Sequence, residues 1–398
     1  MKRKLPIIAI TMMFLIPMMI TGCKSTVTLS DAKESSILHT PRSYSEQDSQ
    51  AIQTSTNTSP SPTDSPVDHI EIRGIEYSTA LTSLELSGDD LSSEDIISLQ
   101  YMKNLIKLSL TFTEISDISP LSGLTNLEDL LLFNNTLSDI SALSNLKNLK
   151  SLLIRNCPII DISPISNLTN LESLRLEEIG IINITSLANL VNLKLLSLGD
   201  NGISDIAPLA DLTNLEGLWL YYNNIRDVSS LSALVKLEEI NLSNNRVNDI
   251  APLANLICLK SLNVTCNDIS DISPLAGLTK LEILSLSGDD LVIQPDYKDN
   301  LISDIAPLGS LMNLRHLKLA QSNINDITSL AELTGLESLD LSYNDISDVT
   351  PLISLVNLTE LNLNCNQIND ISSLAELKNL TNVNLEGNPV MESELKTK

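Results

Sequence analysis

Few of the 398 residues could do covalent or metal chemistry: the chain has five cysteines and three histidines. Cys23 stands alone near the amino terminus, while Cys157, Cys258, Cys266 and Cys365 fall inside a repeating pattern. Cys266 and Cys365 share a position four repeats apart. At one strand spacing per repeat they are about 19 Å apart, beyond the ~7 Å that a bridge between them tolerates. His39 and His69 lie in or beside a polar stretch, and His316 has no nucleophile set by a known motif. No zinc spacing is present. A column of aspartates from Asp117 to Asp370 supplies one carboxylate per repeat, short of the about six to eight oxygens that calcium prefers. No catalysis, cofactor or metal site is therefore expected. The charge also narrows the partner: 25 Lys+Arg against 50 Asp+Glu give a net −25. No basic surface is available to displace counterions from phosphates, which excludes nucleic acid.

Residues 1–22 read MKRKLPIIAITMMFLIPMMITG. Lys2, Arg3 and Lys4 precede an apolar run of 16 residues, Leu5 to Ile20, interrupted by Pro6 and Pro17. A spanning helix needs about 20 apolar residues, and the layout is that of a secretory signal peptide. Its end, Ile20-Thr21-Gly22-Cys23, resembles the bacterial lipoprotein box, with Ile20 where leucine is usual. The resemblance implies that Cys23 receives a diacylglyceryl group and that the signal is cut just before it. The mature charge is then −28. Two acyl chains anchor a protein stably where one does so marginally. Residues 24–67 are rich in Ser, Thr and Pro and have no helical or strand period. With Cys23 they are expected to form a disordered tether, 23–67, spanning about 35–40 Å as a coil.

From Leu105 the chain repeats. Leu105-x-x-Leu108-x-Leu110 recurs twelve times at a step of 22 residues, with one step of 33, as far as Leu358/Leu361/Leu363. A period of about 20–29 with this spacing is the leucine-rich repeat signature. Leucines at repeat positions 4 and 6 alternate with polar residues, as in a strand with one face inward. A single layer buries too little to fold alone, so the layers must stack. Position 9 carries Asn135, Asn201, Asn223, Asn245, Asn267, Asn300, Asn344 and Asn366, interrupted by Thr113, Cys157, Ile179 and Ser322. These amides are expected to satisfy backbone groups at the bend after each strand. Position 13 is Asp in eleven of the twelve units, with Asn183 the exception. It stands just before a segment suited to a short 3₁₀ turn, whose free N–H groups it can cap. The expected fold class is an α/β solenoid: a curved array with a parallel concave sheet and short 3₁₀ turns on the convex side. An aromatic content of 3% against 42% hydrophobic residues fits such a stack of aliphatic layers.

The unit L-T-N-L-E-x-L-x-L-x-x-N-x-I-S-D-I-S-P-L-A-x-L resembles the bacterial internalin-type leucine-rich repeat, over roughly residues 68–390. The resemblance implies a secreted or surface-displayed solenoid that binds other proteins, of a host or of the bacterial surface. No sortase-type motif precedes Lys398 and no immunoglobulin-like module follows the repeats, so attachment is expected through Cys23. Residues 68–104 read as an amino cap with an irregular first unit. Residues 105–379 are the repeats, and 380–398 are a carboxyl cap that begins with one more strand. An eleven-residue insertion within 288–299 should loop out after its strand, because Asn300, Ile302 and Asp304 resume the register.

Outward strand positions 3, 5, 7 and 8 make the concave face. Most carry small polar or charged residues. The exceptions cluster: Phe112, Leu131, Phe133, Leu153, Leu195, Trp219, Tyr221 and Tyr222, with Arg155 and Arg175 among them. Ser173, Glu177 and Glu178 interrupt this group and could divide it into two subsites. An exposed apolar patch marks a partner site, and Trp, Tyr and Arg are enriched in binding hot spots. In this register Trp219 supports no core contact. The expected function is protein binding by a monomeric, lipid-anchored extracellular protein at the cell surface. The alternative is binding of envelope glycan by stacking on Trp219, Tyr221 and Tyr222.

Overall fold

The computed structural model describes residues 67–88, 90–288 and 299–390. The signal segment, Cys23, the tether to residue 66, the insertion over 289–298 and the tail 391–398 lie outside the described residues.

The amino cap contains a hairpin that the sequence reading did not separate. Strands β1 (His69–Ile72) and β2 (Ile75–Ser78) pair antiparallel, Ile72 opposite Ile75. Arg73 and Gly74 join them with φ of 52° and 81°. Two successive left-handed residues match the twist of a tight hairpin, and glycine adopts that conformation at little cost. Ile70 and Ile72 alternate inward and are buried. His69 begins the first strand of the cap.

The sheet proper has fourteen strands, all parallel and in sequence order. They begin with β3 (Ser83–Ser87), β4 (Lys107–Thr111), β5 (Asp129–Phe133), β6 (Ser151–Arg155) and β7 (Ser173–Glu177). There follow β8 (Leu195–Ser197), β9 (Gly217–Trp219), β10 (Glu239–Asn241) and six more, to Asn382–Asn384. The register is that expected: Leu130 sits beside Leu152, and Leu152 beside Leu174. It survives the insertion, since Leu284 pairs with Leu317. A 3₁₀ turn returns each unit, as at Ser119–Gly123 and Ala207–Leu209, and no α-helix occurs among the described residues.

Three sets of side chains make the stack. Leucines such as Leu108, Leu130, Leu174 and Leu218 are at most 1% exposed, each stabilising its layer by about 1.5–3 kcal/mol. The asparagine ladder forms as expected. Asn223 Nδ2 donates to the carbonyls of Leu198 and Leu220, both at 3.0 Å, and Oδ1 accepts from Ile203 N–H at 3.0 Å. Where Ile179 breaks the ladder, Asn201 Oδ1 of the next layer accepts from both Ile179 and Ile181 N–H, at 3.2 Å. The position-13 residues also cap as expected: Ser119 N–H donates to Asp117 Oδ1 at 2.7 Å and Ala207 N–H to Asp205 Oδ1 at 2.9 Å. Asn183 does the same for Thr185 at 2.9 Å. A second ladder had not been singled out. Asn126, Asn148, Asn170 and Asn192, each just before a repeat's first leucine, donate to a carbonyl one layer back at 2.8–2.9 Å.

The sheet is not equally wide. Strands β3 to β7 run five residues, and from β8 on they run three. In the narrow part, several Asn and Asp side chains at position 5 turn back onto their own strand. Asn241 Oδ1 accepts from Ser243 N–H, Asn263 Oδ1 from Thr265 N–H and Asp340 Oδ1 from Ser342 N–H, each at 3.0 Å.

Candidate functional site

The outward residues of β4 to β9 place the aromatic side chains in two groups. In the first, Phe112 meets Phe133 edge to face, with ring centroids 4.9 Å apart and planes at 78°. The Arg155 guanidinium lies 5.5 Å from the Phe133 centroid, within cation–π range. In the second, Tyr221 and Tyr222 meet edge to face at 6.2 Å and 84°. Leu131, Leu153, Arg175 and Leu195 lie on the rows between these groups, all half-buried. Among the named aromatics, Phe112 is 50% and Tyr222 42% exposed. Both have positive φ, but so do Asn134, Asn156, Glu178, Asp200 and Asn244 at the same repeat position. The left-handed residue recurs at the bend of most layers and does not single out the site.

Trp219 and Tyr221 lie outside the aliphatic core but do not stand free of the sheet. Gly217 and Gly199 are buried beneath them: a Cβ on Gly217 would collide with the Trp219 ring, and one on Gly199 with the Tyr221 ring. The indole therefore lies over Gly217, and its Nε1–H donates to Glu239 Oε1 at 3.1 Å. Burial first, and then the Glu177 charge, pushes the Tyr221 phenol up to about 12. These two glycines were the overlooked signal, since each leaves an outward position empty beside an aromatic residue.

The arginines are engaged within the chain rather than extended toward a partner. Glu177 is 1% exposed although it sits on an outward position. Its Oε1 accepts from Arg175 Nε at 3.1 Å, Arg175 Nη2 at 3.0 Å and Ser197 Oγ at 2.5 Å. Arg155 donates to Glu178 Oε1 from Nε at 2.9 Å and from Nη2 at 2.5 Å. Its Nη1 is 3.7 Å from Glu177 Oε2. Glu177 thus faces the arginines of two strands, while Glu178 holds Arg155 alone. Ser173 remains half-buried between them and Leu195.

Cys157 is buried, its Sγ donates to the Arg155 carbonyl at 3.4 Å, and burial raises its pKa, which disfavours the reactive thiolate. His316 is exposed on its strand. Among the described residues no cluster of His, Cys, Asp and Glu is placed to hold a metal, and no helix is long and apolar enough to cross a membrane.

Comparison with known proteins agrees with this fold. The family model described as a leucine-rich repeat region matches residues 148–397, and one described as leucine-rich repeats in two copies matches residues 103–145. The crystal structure of an internalin, inlF of Listeria monocytogenes, is 36% identical with a TM-score of 0.72, the match covering 77% of this chain and 89% of that one. A Leptospira interrogans leucine-rich repeat protein shares the fold at 24% identity and a TM-score of 0.67, over 80% of this chain and 87% of that one. No curated protein matches. With more than half its length under one family model and an internalin matched over most of both chains, this chain belongs to the leucine-rich repeat family and is a bacterial internalin-like protein.

Proposed function

We propose that this is a lipid-anchored extracellular protein that binds a protein partner through the amino-terminal half of its concave face. The observation that carries the reading is the difference between the two halves of that face. In the narrow half, Asn241, Asn263 and Asp340 are bound to their own backbone, so a partner gains little by displacing those bonds. In the wide part Phe112 and Phe133, and on the second narrow strand Trp219, Tyr221 and Tyr222, present apolar surface on a rigid sheet. Rings already held by neighbours lose little freedom on binding. The five strand steps from Phe112 to Tyr222 span about 24 Å, a fitting width for one protein interface.

The test is capture of surface proteins and of cell-wall fragments by the full chain, followed by calorimetric titration of the captured protein. Trp219→Ala should weaken binding by about 2–4 kcal/mol. Asn362→Ala, on the same face of the narrow half, should change it little. A Trp219→Ala variant that binds as well as the parent removes this face as the site. Retention of wall fragments alone, with the same sensitivity to Trp219, supports glycan binding instead. That second reading draws on the indole resting over Gly217 with its Nε1–H on the Glu239 carboxylate.

A further inference from the structure

Between the two aromatic groups the concave face is short of positive charge. On three neighbouring strands and the bends that follow them, two guanidiniums, Arg155 and Arg175, face three carboxylates, Glu177, Glu178 and Asp200. Arg175 is spent on Glu177 Oε1. Arg155 is divided: it binds Glu178 Oε1 closely and stands 3.7 Å from Glu177 Oε2. That second oxygen is buried and has no hydrogen-bond partner among the described residues, although Glu177 is 1% exposed. A buried carboxylate oxygen left without a donor is costly. Asp200, exposed at the rim, has its pKa raised by burial and then by Glu178, with Arg155 opposing. The rim carboxylates thus repel each other across one layer.

We propose that a lysine or arginine side chain of the partner protein seats on Glu178 and Asp200 beside the Tyr222 ring, letting Arg155 close onto Glu177 Oε2. The inference rests on the reading that this face binds a protein and names the chemistry of that partner. One incoming cation answers each irregularity of the site. It balances the third carboxylate, relieves the repulsion between Glu178 and Asp200, and frees Arg155 to supply the missing donor. Tyr222, 42% exposed, stands one layer beyond Asp200 at the same repeat position. A chain of net charge −25 draws basic partners toward it at long range.

The probe is a capped tetralysine peptide, with its fully acetylated form as control, titrated against the full chain at low ionic strength. The wild-type chain should bind tetralysine and not the acetylated peptide. Glu178→Gln with Asp200→Asn should weaken tetralysine binding by about tenfold or more, as expected for loss of a close charge pair. Glu332→Gln with Glu376→Gln removes the same charge from convex turns and should leave binding within about twofold, the effect of diffuse charge alone. Glu178→Gln by itself should fall between, and it serves if the double variant melts early. No binding by the wild type, equal loss in both charge-matched pairs, or loss in neither, overturns the inference. This outcome is independent of Trp219→Ala, on which the concave-face reading itself stands.

Discussion

The residues that shape the candidate site are partly ones with no side chain. Gly217 and Gly199 make room for the Trp219 and Tyr221 rings to lie on the sheet. Replacing Gly217 by valine should lift the indole, break its bond to Glu239 and weaken partner binding nearly as much as Trp219→Ala, with Trp219 still present. Indole fluorescence should shift red as the ring enters water, and an unshifted spectrum with unchanged binding would refute the packing described. Tyr221 gives a second handle, through pH. Its phenol is raised from 10.0 to about 12, so the folded state favours the neutral form. That contribution is complete below pH 10.0 and is lost as the pH rises through about 12. Ultraviolet titration should show one phenolate appearing late in the parent and absent in Tyr221→Phe. Glu177→Gln should bring it earlier, because the Glu177 charge is the second cause of the shift.

At the scale of one repeat, nearly everything was legible, because each constraint recurs. A leucine at position 4 or 6 is inward in every layer, so twelve copies fix the register where one would not. The asparagine and aspartate columns were readable for the same reason. What recurs nowhere was missed. The β1–β2 hairpin is a single Arg73-Gly74 turn between two four-residue strands. The burial of Glu177 depends on Arg175 beside it, Ser197 on the next strand and the empty position at Gly199, a conjunction that no single column displays. The register itself can be tested at Leu218, 0% exposed in the middle of the stack. Leu218→Asp places an unpaired charge in a dry aliphatic layer and should cost several kcal/mol, about 3–5. Hydrogen exchange should show protection lost first over 193–240 and kept longest near both ends, since each unit supports only its neighbours. Uniform loss along the chain, or none around Leu218, would contradict the stacking.

For the whole molecule, the remaining question is what holds the binding face where a partner can meet it. The described residues, 67–88, 90–288 and 299–390, offer no spanning helix. The charge of the chain bears on this question. A strongly acidic body, net −28 once Lys2, Arg3 and Lys4 are removed, is repelled by anionic headgroups rather than drawn to them. Peripheral adhesion is therefore a poor way to keep it at a membrane, and a covalent lipid on Cys23 is the attachment we propose. Two acyl chains contribute about 0.8 kcal/mol per buried methylene, enough to outweigh that repulsion. Cys23→Ala should either leave the precursor uncut or release the protein from membranes, and lowering the salt should drive the released form further from anionic vesicles. Radiolabelled fatty acid should enter the parent and not the variant. A processed Cys23→Ala protein that still sediments wholly with membranes would mean that the anchor lies elsewhere.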